Sequence, residues 1–160
     1  SLLTRVIKDM VEYHINFPIL KDHSIAGLSG GLKNLYAAVH NPNKYHDDNC
    51  TPFAADLYNI PEIREKNRLT IMDCTRIQYN AGPAYNPKYA FESNMLLISD
   101  DPIALDAVAL DILNDIRRES GLGSLKSVGR YPHYLEVGAD REHKLGNFKR
   151  ELIDRIEVII

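Results

Sequence analysis

His14-Ile15-Asn16-Phe17-Pro18-Ile19-Leu20-Lys21-Asp22-His23, with Ser29-Gly30-Gly31-Leu32-Lys33-Asn34-Leu35-Tyr36 after it, is the stretch that decides the fold. Ile15, Phe17 and Ile19 alternate with His14, Asn16 and Pro18, the period of two that predicts a short strand. Pro18 has no N–H for a ladder, so the strand lies at an edge or ends there. A Gly/Ser stretch from Ser24 to Gly31 opens into Leu32, Leu35, Tyr36 and Val39, spaced as the buried stripe of a helix.

Upstream, Leu2, Leu3, Val6, Ile7, Met10 and Val11 recur as one face of a first helix. Downstream, His40-Asn41-Pro42-Asn43 stops the second helix, and Thr51-Pro52 starts another that breaks near Pro61. Leu69 to Asp73 reads as a buried strand, Arg76 to Ser93 as a long loop holding a hairpin, and Asn94 to Ser99 as a third strand. Asp100-Asp101-Pro102 starts a helix that runs to about Ser120, before Gly121 and Gly123. Tyr131 to Lys144 reads as helix and Arg155 to Ile160 as a last strand. Helices alternating with short apolar strands predict a three-layer α/β domain, a mostly parallel sheet flanked by helices. Residues 1–160 read as a single domain, cut close to secondary structure at both ends and so a segment of a longer protein.

The 160 residues carry 19 Lys+Arg against 22 Asp+Glu, a net charge of −3. With 44% hydrophobic and 26% charged residues, the composition is that of a globular protein, not a disordered one. A pI near 6.0 argues against a nucleic-acid partner bound by bulk charge. No apolar run approaches the ~18 residues that span a bilayer, so no membrane partner is expected. Cys50 and Cys74 form no Cys-x-x-Cys pair, and reduced thiols in the cytoplasm are the expectation.

In open α/β sheets ligands bind beyond the carboxyl ends of strands, where three polar clusters fall: Lys21/Asp22/His23, Asp73 and Asp100/Asp101. Ser29, Gly30 and Gly31 at a helix start present backbone N–H groups to an anion, with Lys33 adding charge and Asn34 an amide. Lys21 and His23 project on one side of an extended segment, one to neutralise a ligand and one to move a proton. Asp106 sits in an otherwise apolar helix, where a buried carboxylate needs a partner: either a structural pair with Lys33 or Lys21, or a role in the site. One of Asp100 and Asp101 caps the helix, and together they are the candidate ligands of a divalent metal. His40 and His46, beside Asp47 and Asp48, read as a solvated loop.

Several of these stretches together resemble one family. Ile15-Asn16-Phe17-Pro18 leading to Lys21-Asp22-His23, Gly30-Gly31-Leu32-Lys33-Asn34, and Asp101-Pro102-Ile103-Ala104-Leu105-Asp106 are similar, in order, to motifs of the uncharacterised family called domain of unknown function 362. The resemblance runs from about residue 13 to residue 123. It implies an α/β domain and places Lys21, His23, Gly30, Gly31, Lys33, Asn34, Asp100, Asp101 and Asp106 in one site. Many relatives are described as iron–sulfur proteins, with ferredoxin-type cysteine motifs in attached segments. Two cysteines cannot hold such a cluster within this chain, so a ferredoxin-like segment or partner would lie outside it.

The leading expectation is an enzyme domain for a small anionic metabolite, with a metal assisting. Lys21 or His23 serves as acid/base, Asp73, Asp100 or Asp106 positions them or binds the cation, and the glycine turn with Lys33 holds the anion. The alternative is an electron-transfer accessory or binding module of an iron–sulfur protein.

Overall fold

The structure, a computed structural model, describes residues 2–159. Its centre is the 12-residue strand β4 (Asn67–Gln78), beside which β1 (His14–Asn16) and β2 (Ile19–His23) lie end to end, both parallel to it. Pro18 separates the two short strands as its lack of an N–H requires, yet its carbonyl still accepts from Asp73 N at 2.8 Å. The edges are antiparallel: β3 (Gly27–Ser29) on β2, and β5 (Ala90–Ser99) on β4. The chain is thus the α/β domain that its alternating elements predict.

The helical segments are α1 (Gly31–Asn34), α2 (Asp47–Cys50), α3 (Phe53–Tyr58), α4 (Pro61–Arg64), α5 (Pro102–Glu119) and α6 (Tyr134–Gly138). Side chains of α1, α3, α5 and α6 share one core with Leu20 and Leu28 of β2 and β3 and with Met72, Cys74 and Ile77 of β4. Both cysteines are buried in it. On the opposite face of the sheet, Ile15 (59% exposed), Ile19 (54%), Leu96 (53%) and Ile98 (60%) remain open, with no described helix laid over them.

Several elements differ from expectation. The N-terminal helix shrinks to one π-type turn, Val6–Met10, with no fully buried residue: Leu3 and Ile7 pack against the edge of the core, while Leu2, Val6 and Met10 stay exposed. Strand β4 runs past Asp73 to Gln78, and β5 begins at Ala90 instead of Asn94. The loop expected over 76–93 is therefore a hairpin whose connection is only 79–89. That connection is organised by Gln78, which donates to Asn80 O and Ala84 O and accepts from Asn86 N. The helix expected over 131–144 is limited to α6. Residues 155–159 form no strand: they pair with neither sheet edge, and Ile156, Val158 and Ile159 are exposed. Ile160, the last residue of that expected strand, and Ser1 lie outside the described residues.

One buried charge cluster ties the hairpin, β2 and the far end of α5 together. Asp22 is fully buried and accepts from Arg130 Nη1 at 2.7 Å, from Gly82 N at 3.1 Å and, at 3.5 Å, from Arg117 Nη1. Gly82 has no alternative here, since a Cβ would lie 1.8 Å from the Asp22 carbonyl oxygen. Arg117 also donates to Tyr79 O and Gly123 O, so its guanidinium spans both loops. Asp22→Ala leaves two arginines largely buried without their carboxylate, and the expected loss of stability is about 3–5 kcal/mol. Urea unfolding checks this; a loss below about 1 kcal/mol would be that of a surface pair instead.

Candidate functional site

At the carboxyl end of β2, the glycine turn between β3 and α1 closes one side of a pocket of about 330 Å³. Lys21, His23, Ser29, Gly30, Lys33 and Asn34 form its polar lining. Phe17, Pro18, Ile19 and Pro83 form its apolar side. Six of the residues singled out from sequence therefore meet in one hollow, although 13 positions separate the first from the last.

Asp106 does a different job from the one expected. It is wholly buried, and its carboxylate pairs with no lysine: it accepts from Gly31 N at 2.5 Å and from Leu32 N at 3.0 Å. The amides expected to cradle an outside anion are thus already satisfied by an internal one. Gly30 is required for the same reason, since a Cβ there would lie 2.4 Å from Asp106 Oδ1. Gly31 lies behind the pocket wall, and Asn16 completes the turn by donating to Gly31 O while accepting from Asn34 Nδ2. The turn, with its Gly31 and Leu32 amides held by Asp106, carries Lys33 and Asn34 to the pocket.

The remaining carboxylates stay away from the pocket. Asp73 is mid-strand because β4 continues beyond it, and it accepts from Thr75 N and Thr75 Oγ1. Asp101 caps α5 through Ala104 N, while its second oxygen accepts from Asn147 N and Asn147 Nδ2. Both oxygens of Asp101 thus face N–H donors, and neither Asp100 nor Asp101 lines the pocket. Among the described residues no cluster of three or more His, Cys, Asp or Glu is arranged to hold a metal ion.

What gathers at the pocket is cationic or imidazole. Lys33 is nearly buried, with Nζ 3.0 Å from His46 Nε2 and 4.1 Å from the centre of the Tyr36 ring. Burial, with a smaller push from Lys21, lowers its pKa from the usual lysine value, against the pull of the Cys50 thiol. The Lys21 ammonium reaches Pro83 O at 3.3 Å. His23 Nδ1 accepts from Ile25 N and Ala26 N, which leaves the ring proton on Nε2. Burial, then the charges of Lys33, His46, Lys21 and Arg130, hold its pKa down at about 4. His23 is therefore a neutral donor above that pH. Its ring stacks on His46, with centroids 5.6 Å apart. His46, whose polar neighbours predict a solvated loop, is instead brought to the pocket by the turn Pro42–Tyr45, which folds the loop back onto Tyr36.

An α/β domain with a cationic pocket at the end of a parallel strand is the class that this architecture defines. Residues 4–111 match the family described as Domain of unknown function (DUF362), and the chain belongs to that family. No curated protein matches the chain, and no solved structure does. Among the described residues no helix is long and apolar enough to cross a membrane.

Burial raises the pKa of Asp106 from 3.8 to about 6, against the lowering effect of the Leu32 and Gly31 amides. The folded state then holds this proton more tightly than the unfolded one. The resulting stability is full below 3.8 and is lost as pH rises through about 6. His23 acts oppositely over an overlapping range: its depressed value makes stability fall as pH drops from 6.5 towards about 4. The Asp106 effect is thus read against Asp106→Asn, in which His23 is unchanged. Relative to that variant, the wild type should lose thermal stability as pH rises from 3.8 to about 6; a pH-independent difference would contradict the assignment.

Proposed function

We propose that this chain is an enzyme domain that binds a small anionic metabolite in the pocket of Lys21, Lys33, His23 and Asn34. The observation that carries this reading is charge: two lysines line the hollow, and no carboxylate does. Neither lysine is in an ion pair with an acidic side chain among the described residues, so an entering anion meets two uncompensated cations. Lys33, nearly buried, binds an anion more strongly than an exposed lysine would, because less water competes. The neutral His23 supplies a hydrogen-bond donor at Nε2, and Asn34, fixed by Asn16, a second hydrogen-bonding group.

Inorganic phosphate and propionate are suitable probes in a thermal-shift titration. Both should raise the melting temperature of the wild type. Lys33→Met keeps the buried stem and removes the charge, and Lys21→Met removes the pocket's other cation, so each should weaken binding at least about tenfold. An equal response in wild type and both variants would remove the lysines from the reading.

The open face of the sheet favours a second reading, an accessory module of an iron–sulfur protein whose cluster lies outside this chain. Ile15, Ile19, Leu96 and Ile98 form the apolar surface on which a ferredoxin-like segment would dock. In the full-length gene product these four should then be protected from hydroxyl-radical labelling. Full labelling of all four would exclude it.

A further inference from the structure

Lys33 and His46 are arranged differently from a lysine that merely supplies charge. His46 Nδ1 faces Pro42 O at 3.1 Å and Asn43 O at 3.3 Å. Carbonyl oxygens only accept, so Nδ1 carries the ring proton, and the Nε2 lone pair faces Lys33 Nζ at 3.0 Å. Lys33 is nearly buried with its nitrogen over the Tyr36 ring, it has no carboxylate partner among the described residues, and it borders the pocket. A nearly buried amine, a histidine base oriented by backbone carbonyls, and a cavity in front of them are the parts of an activated amine nucleophile. Burial disfavours the ammonium form in the same direction.

We propose that Lys33 forms a covalent imine with a small carbonyl compound that bears an anionic group, such as a 2-oxo acid. This rests on the anion-binding reading above, with Lys21 holding the carboxylate. In the step itself, a proton passes from the Lys33 ammonium to His46 Nε2. The freed lone pair forms a C–N bond to the carbonyl carbon as the C=O π pair moves to oxygen. The nitrogen's extra proton transfers to that oxygen, giving a carbinolamine. The hydroxyl then takes the proton held by His46 and leaves as water while the nitrogen lone pair closes the C=N bond. Ammonium and carbonyl become a protonated imine and one water, with nothing oxidised or reduced. His23, neutral with its proton on Nε2, is the second donor available at the pocket for the oxygen. A cavity of about 330 Å³ suits an acid of a few carbons.

The test is trapping with pyruvate and sodium cyanoborohydride, which reduces an imine to a stable secondary amine, followed by peptide mapping with mass spectrometry. Lys33 should be labelled at least about tenfold faster than the exposed Lys44 and Lys88. Propionate, which carries the anion but no carbonyl, should slow labelling at Lys33 and leave Lys44 and Lys88 unaffected. His46→Gln should slow labelling at Lys33 about tenfold or more while keeping the thermal shift with propionate. Labelling of Lys33 no faster than that of Lys44 and Lys88 overturns the imine. If propionate still stabilises the protein in that case, the anion site stands and only the covalent step falls. If neither acid shifts the melting temperature and Lys33 is not trapped, both readings fall together.

Discussion

The pocket depends on a carboxylate that never faces it. Asp106, carried by the long helix α5, reaches across to the turn between β3 and α1 and takes two of its backbone N–H groups. The four-residue helix α1 could not hold itself in place, since isolated turns of helix are unstable in water. Its entry is instead fixed by an oxygen pair 75 residues further along the chain. Burying that carboxylate is costly, and the raised pKa of the group records the strain on its charged form. The amides offset part of the cost, and the result is a turn held tightly enough to aim Lys33 and Asn34.

Much of this was legible in the letters. The alternation of Ile15, Phe17 and Ile19, the glycine turn and the Asp-Pro start of α5 each follow from local backbone chemistry, and each lies where expected. Lys21, His23, Ser29, Gly30, Lys33 and Asn34 share one hollow because β2, β3 and α1 are adjacent in space as well as in sequence. Asp106 was legible as a buried carboxylate in need of a partner, but its partner was not. Side-chain patterns carry no mark for a backbone amide, so a lysine was the natural candidate. Asp73 differs for another reason: hydrophobicity stops there, whereas the ladder with β5 carries the strand on to Gln78 through Arg76 paired with Glu92. His46 was invisible because nothing in a polar loop announces that it folds back over an aromatic ring.

The electrostatics of the pocket and of the Asp22 cluster are opposite solutions to one problem. Arg117 and Arg130 surround a carboxylate from the same chain, which leaves that cluster complete and inert. Lys21 and Lys33 lie a short distance away with only carbonyl, imidazole and ring contacts. Charge satisfied from within builds structure, and charge left without a counterion recruits one from solution.

Ile19 belongs to two surfaces at once: it lines the pocket's apolar side and is part of the open face of the sheet. A neighbour docked on that face would therefore abut the mouth of the pocket. Assembly and traffic would compete for a shared threshold, so a docked neighbour would narrow the doorway and slow exchange without touching Lys33.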